Sequence, residues 1–196
     1  MATRHPRQPG YWTHGSLPPN VRIGPASVIT GDDVTGPLAF KRFTTERDPG
    51  LVIGARCRLD GVLFNVGRQG YVEIGDDCYA EDAFLISECS IVIGHRVVIG
   101  WHATVVDSDF HPIDPARRMA DAVACSPLAN GRPRPPFVSR PVVIEDDVWI
   151  GPNATILKGV RIAAGAMVEP GAVVTQAIPS GARVLGNPAQ IIATHS

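Results

Sequence analysis

Net charge, aromatic residues, long apolar runs and paired cysteine motifs are all scarce in this sequence, and each shortage excludes a class of protein. Lys plus Arg number 18 against 19 Asp plus Glu, a formal net charge of -1, with no long run of one sign. Nucleic acid and anionic membrane are therefore not expected partners. Apolar residues make up 44% of the chain, but no stretch approaches the roughly 18 consecutive apolar residues of a spanning helix. Met1 to Pro9 is polar and Pro-rich with no apolar segment behind it, so no secretion signal is expected and the cytoplasm is the expected compartment. Cys57, Cys78, Cys89 and Cys125 show neither C-x-x-C spacing nor a His partner at zinc-finger spacing, which predicts reduced thiols and no metal site. Aromatics are only 6%, so the core must be built from small and aliphatic side chains.

Glycine and proline, by contrast, are plentiful, at 20 and 18 of 196 residues. The length gives room for one domain, and this much punctuation rules out a helical bundle in favour of a turn-rich β architecture. Ile144, Ile150, Ile156, Ile162, Val168 and Val174 then fall six residues apart without a slip. Four residues after each comes Val148, Ala154, Val160, Ala166, Ala172 and Ile178. An α-helix, with its 3.6 period, cannot produce this pattern; a β-helix of hexapeptides, three to each triangular coil, does. Each hexapeptide is a short strand plus a corner, and its aliphatic residue points into a prism to stack on its equivalent one coil away. Gly follows the aliphatic in Ile23-Gly24, Ile53-Gly54, Ile74-Gly75, Ile93-Gly94, Ile99-Gly100 and Ile150-Gly151, where a tight corner is expected to benefit from a missing Cβ.

Looser hexads come earlier: Ile23 and Ile29; Ile53 and Leu59; Ile74, Ala80 and Ile86; then, after a one-residue slip, Ile93, Ile99 and Val105. The expected fold is all-β, a single parallel β-helix of five or six coils, about 25 to 30 Å long at the spacing of paired strands. The chain divides into a Pro-rich segment (1–20), early coils (21–106) with a loop at 35–50, a long protruding loop (107–141), C-terminal coils (142–179) and a tail (180–196). The first and last segments are expected to cover the open ends of the prism. Loops as long as 107–141 are usually functional or disordered.

That loop begins Asp107-Ser108-Asp109-Phe110-His111-Pro112, placing an imidazole where the coil hands over to the loop, flanked by carboxylates able to orient it. Imidazole is the side chain best suited to take a proton from a hydroxyl near neutral pH. The alternative is a surface histidine in a solvated loop.

The hexads, the H-P-x-x-x-x-R run from His111 to Arg117, the phrase Val148-Trp149-Ile150-Gly151 and the Gly186-Asn187-Pro188-Ala189 run together resemble the left-handed β-helix acyltransferases. The resemblance is to the maltose, galactoside and nodulation O-acetyltransferases and their polysaccharide-modifying relatives, over about residues 70 to 192. It implies an acetyl-CoA-dependent O-acetyltransferase with His111 as general base toward a hydroxyl of a sugar-like small acceptor. It also implies a homotrimer with acetyl-CoA between neighbouring prisms. Toward the CoA, Trp149, Gly151 and Thr175 match the family, and Pro152 or Pro170 stands where the family has a small residue. Gln176 replaces a lysine and Gln190 an arginine; Lys158 and Arg183 either substitute for those cations or are simply solvated. On the acceptor side the resemblance places His102 roughly where the family has an asparagine, so it either contacts the acceptor or is simply an exposed coil histidine; Trp101 beside it either stacks on a sugar ring or packs between subunits, and Asp109 is a further acceptor-side candidate.

Two other readings differ in class. A zinc-dependent hydratase similar to the γ-type carbonic anhydrases would use three histidines, and His95, His102 and His111 are available, but their spacing does not match that ligand pattern. A non-catalytic scaffold is the other; His111 argues against it, while Gln176 and Gln190 argue mildly for it.

Overall fold

The computed structural model describes residues 11–12, 17–30, 40, 42–126, 129 and 131–194. Apart from one short helix they form a left-handed parallel β-helix with three faces. The first face stacks six strands, among them Val72–Ile74, Ile91–Ile93, Val142–Ile144 and Arg161–Ile162. The second is nine-stranded and includes Tyr79–Glu81, Val98–Ile99, Trp149–Ile150 and Met167–Val168. The third has six strands, including Arg42–Phe43, Leu63–Val66, Phe84–Ser87, Thr104–Val106 and Thr155–Ile156. The chain visits the faces in the same order in each coil, and the described residues make six coils.

Inward residues stack in register. Ile53, Ile74, Ile93, Ile144 and Ile162 are Cα partners in sequence down the first face, and Phe64, Leu85, Val105, Ile156 and Val174 down the third. All are almost fully buried. Each apolar side chain is removed from water by its neighbours above and below, stabilising the coil by about 1.5–3 kcal/mol for an aliphatic side chain. Ile86 is a correction: Leu85 and Ser87 point inward and Ile86 is half-exposed. The corner after Ala80 is one residue shorter than the corner after Ile99, and in a strand a one-residue slip turns every side chain to the other face.

The glycines after the inward aliphatic are explained by crowding between coils. A Cβ on Gly75 would lie 2.5 Å from the carbonyl oxygen of Gly94, and one on Gly151 2.6 Å from the Pro170 nitrogen. The turn itself is made two residues later, often by residues other than glycine. Arg56, Asp77, Arg96 and Asp147 hold this corner in the left-handed region, with φ of 58, 59, 57 and 61°. Arg56 donates to both carboxylate oxygens of Asp77 at 2.6 Å, and Arg96 to those of Asp147 at 2.6 and 2.8 Å. Basic and acidic residues thus alternate down one edge of the prism.

Tyr11–Trp12 pairs with Val28–Ile29 at the edge of the second face; of the expected N-terminal cover (1–20), residues 1–10 and 13–16 lie outside the described residues. So do 35–39 and 41 of the expected loop at 35–50, which differs from expectation in holding the strand Arg42–Phe43. The tail forms Ala182–Gly186, parallel to Met167–Val168, and Ala189–Thr194, which folds back antiparallel on it at the lower edge of the second face. No helix among the described residues is long and apolar enough to cross a membrane. All four cysteines are free thiols, Cys57 and Cys78 buried.

The segment 107–141 leaves the third face and returns to the first, and it is not structureless. Helix α1 spans Pro115–Ala124, with Asp114 as N-cap accepting from the Arg117 N–H at 2.9 Å and proline at the first turn. The base of the segment is closed by Arg140 N–H to Asp107 carbonyl (2.8 Å) and Asp109 N–H to Val138 carbonyl (2.9 Å). Asp107 is wholly buried. Its carboxylate accepts from the Ser87 hydroxyl and from the Glu88, Cys89 and Ser90 N–H groups, at 2.7, 2.7, 2.9 and 2.7 Å.

Candidate active site

Because Asp107 fastens the loop to the prism, the residues that follow it start from a fixed point. Phe110 sits at φ 59°, in the left-handed region that L side chains seldom occupy, and the His111 N–H donates across it to the Asp109 carbonyl at 2.6 Å. This turn aims His111 at α1. There its Nδ1 meets Asp121 Oδ2 at 2.5 Å, while about half of the side chain remains exposed. Asp121 is the one buried residue of α1. Arg134, from the extended return of the loop, donates Nε to Asp121 Oδ1 at 2.8 Å and Nη2 to Oδ2 at 3.0 Å. These bonds, with a smaller contribution from His111, hold the Asp121 carboxyl below the usual carboxylate range despite its burial. An ionised Asp121 accepts the Nδ1–H, so the neutral ring presents an unprotonated Nε2.

His111 borders a cavity of about 400 Å³ lined also by Arg42, Asn65, Phe110, Cys125 and Arg134. Arg42 and Asn65 are Cα partners on the third face, over which the loop folds back. Arg42 donates to Asn65 Oδ1 at 3.3 Å and to Glu88 at 2.8 Å. The arrangement offers an oriented proton acceptor beside a cavity of small-molecule size, the geometry that general-base chemistry needs.

The flanking carboxylates expected to orient His111 do other work: Asp109 pairs with Lys158 at 2.5 Å and Asp114 caps α1. Asp109 Oδ2 is buried without a hydrogen-bond partner among the described residues. The residues matched to CoA contacts occupy four places. Trp149 faces outward between Val98 and Met167 on the second face. At the corner that follows, Trp101, His102, Pro152 and Pro170 stand on successive coils, linked by Asn153 N–H to Trp101 carbonyl and Gly171 N–H to Pro152 carbonyl; Gly151 lies buried there. His102 takes φ 57° and stacks on Phe84 at 6.4 Å, while Trp101 is 54% exposed. Thr175 and Gln176 are exposed at the next corner, and Gln190 is exposed opposite Leu185 in the terminal hairpin. Lys158 pairs with Asp109, and Arg183 pairs with Glu169 while remaining about half exposed. His95, His102 and His111 stand on different corners, and among the described residues no three His, Cys, Asp or Glu converge as a metal site.

Asp121, Arg134, Arg42 and Asn65 escaped the sequence reading. The Asp114-Pro115 pair marks a helix start and was a usable signal for α1, and hence for the partner it presents; nothing in the Pro-rich run singles out Arg134.

Comparison with known proteins supplies the context. Residues 141–176 match the family model described as bacterial transferase hexapeptide (six repeats). A hexapeptide-repeat-containing acetyltransferase from Vibrio cholerae superposes with a TM-score of 0.59 at 30% identity, over 72% of each chain. A maltose O-acetyltransferase from Clostridium difficile 630 gives 0.54 at 27% identity, over 64% of this chain and 59% of that one. A 2,3,4,5-tetrahydropyridine-2,6-dicarboxylate N-acetyltransferase of Staphylococcus aureus is 53% identical over 70 residues, 36% of this chain. The match spans only 29% of that relative's length.

Proposed function

This chain belongs to the hexapeptide-repeat acetyltransferases, and on that premise we propose that it transfers acetyl from acetyl-CoA to a hydroxyl of a sugar-like small acceptor, with His111 as general base. The observation that carries the reading is the His111 Nδ1 to Asp121 contact at 2.5 Å beside the open cavity. Nε2 takes the acceptor's hydroxyl proton as the oxygen attacks the thioester carbonyl carbon. The C–S bond then breaks, and the departing CoA thiolate takes that proton from the imidazolium. Asp121 stabilises the transient imidazolium; a positioned base of this kind contributes about 10² to 10⁴-fold in rate.

The acetyl-CoA side of the reading needs a second subunit. His111 lies beyond the third face, and Trp101, Trp149, Pro152 and Pro170 lie along the edge between the second and third. A homotrimer that brings one prism's loop against its neighbour's corner joins them. Its support is the outward apolar column of Tyr79, Val98, Trp149 and Met167, in register on the second face, with Val98 38% and Met167 36% exposed. In that groove Trp149 and the two prolines offer apolar contact to the pantetheine arm. Thr175, Gln176 and Gln190 offer neutral rather than cationic contacts.

The test is thiol release from acetyl-CoA with neutral sugars, amino sugars and nucleotide sugars. His111→Ala is expected to lower transfer at least about 10²-fold with acetyl-CoA binding retained. Near-full turnover in that variant would place the base elsewhere. A second reading, transfer to an amine, is favoured by the 53% identity to the N-acetyltransferase; product analysis of the amino-sugar reaction separates the two.

A further inference from the structure

We propose that Arg134 is a positioning residue that keeps His111 usable as a base, by supplying the permanent counter-charge of Asp121 and by fixing the peptide that aims the imidazole. The inference rests on the role of His111 given above and deepens it. Asp121 has no exposed side-chain surface, and a buried carboxylate stays ionised only where positive charge or hydrogen bonds compensate its lost hydration. Two groups touch it: the Arg134 guanidinium, through both carboxylate oxygens, and His111. Were Arg134 absent, His111 would be the one contact able to supply that charge, as an imidazolium. An imidazolium has no lone pair with which to accept a proton. With Arg134 in place, the ring can remain neutral, donate Nδ1–H to Asp121 and keep Nε2 free.

The other ionisable groups around the ring are matched or remote. Glu88 accepts from Arg42 at 2.8 Å and lies 3.9 Å from Arg134 Nη1. Asp109 is paired with Lys158, and Asp114, Arg117 and Arg118 are exposed at the start of α1, where solvent screens them. Cys125 borders the same cavity. Cys125 touches Asp121 through its backbone N–H, which donates to the Asp121 carbonyl at 2.9 Å, and none of these groups pairs with the Asp121 carboxylate, so none replaces Arg134.

Arg134 also acts on the backbone. Its Nη2 donates to the Phe110 carbonyl at 2.5 Å, at the very residue held in the left-handed region. The guanidinium carbon lies 4.8 Å from the centroid of the Phe137 ring, a cation–π contact. One side chain thus joins the turn before His111 to the carboxylate behind it, and the fork geometry needed for both is one that lysine lacks.

The experiment is an imidazole ¹⁵N NMR titration of the full chain, with the His111 signals identified by their loss in His111→Ala. Arg134→Met is expected to raise the His111 titration midpoint by at least about one pH unit, the usual effect of an uncompensated neighbouring carboxylate. Asp121→Asn added to that variant should remove the rise, and Arg134→Lys, which keeps the charge, should prevent most of it. Where acetyl transfer is measurable, the acidic limb of the pH–rate profile should move with the midpoint, with the KM for acetyl-CoA unchanged. A midpoint in Arg134→Met that stays put or falls overturns the proposal, as does a rise that survives Asp121→Asn. A rise in a protein that transfers acetyl to nothing would instead sink the acetyl-transfer reading and leave the charge relation standing.

Discussion

Replacing Asp107 with alanine should destabilise the protein more than almost any other polar substitution. The change removes four hydrogen bonds that end on one wholly buried carboxylate, three of them from consecutive peptide N–H groups. Hydrogen bonds to a charged group contribute about 1.5–3 kcal/mol each, and each orphaned buried donor costs about 1–3 kcal/mol. The terms do not add, because the four donors share one acceptor and Glu88, Cys89 and Ser90 are half-exposed, so water replaces part of the loss. About 3–5 kcal/mol is the expected cost, which in a chain of this size lowers the melting temperature by roughly 6 to 20 °C. Asp107→Asn is the discriminating partner. Its amide oxygen can take the place of Oδ2, which accepts three of the bonds, while its NH₂ then faces the Glu88 N–H, donor against donor. Its cost should be smaller, about 1–3 kcal/mol. Calorimetry at one fixed protein concentration, paired with urea unfolding, measures both. An Asp107→Ala cost below about 1 kcal/mol, or an asparagine variant no better than alanine, would refute the claim that this carboxylate anchors the loop.

Gly75→Ala should cost more than Gly171→Ala. At Gly75 the new Cβ meets Gly94 backbone at 2.5 Å, so the coils must part, whereas at Gly171 nothing lies within 4 Å and the penalty is that of an alanine at φ 72°, about 1–2 kcal/mol; equal melting temperatures would contradict the crowding argument. Asp121, with its carboxyl held low, contributes stability that is fully present above the ordinary carboxylate pKa and is lost as the pH falls through its own depressed value. The loop around His111 should therefore hold its amide protection on acidification to about pH 4 and loosen below that, and Asp121→Asn should abolish this acid transition. Protection lost between pH 6 and 5, well above the titration of any such carboxylate, would contradict that sign.

The C-terminal coils were legible because Ile144 to Val174 keep a strict six-residue step, which a strand and corner of constant length impose. Where corner length varies, as between Ala80 and Leu85, the same rule mispoints a residue such as Ile86. His111 was legible because the transition from coil to loop is visible as a break in the period. Its partners were not, because α1 and the Pro-rich return each bring one residue to it, Asp121 and Arg134, through contacts ten or more positions away. The glycines stand out in the sequence as corner residues, whereas the atoms that exclude a Cβ there belong to the next coil.

The alternating edge of Arg56, Asp77, Arg96 and Asp147 bears on a problem peculiar to repetitive chains. Inside the prism one aliphatic rung is much like the next, so the core scarcely distinguishes correct stacking from a stack displaced by a coil. The charged edge does distinguish them. In register each arginine grips an aspartate of the following coil; displaced by one, Arg56 would face Arg96 and Asp77 would face Asp147. Pairs this exposed add little to the strength of the finished fold, but the sign change on misregistration does not depend on their strength. The edge therefore works as an address code, numbering coils whose interiors are interchangeable.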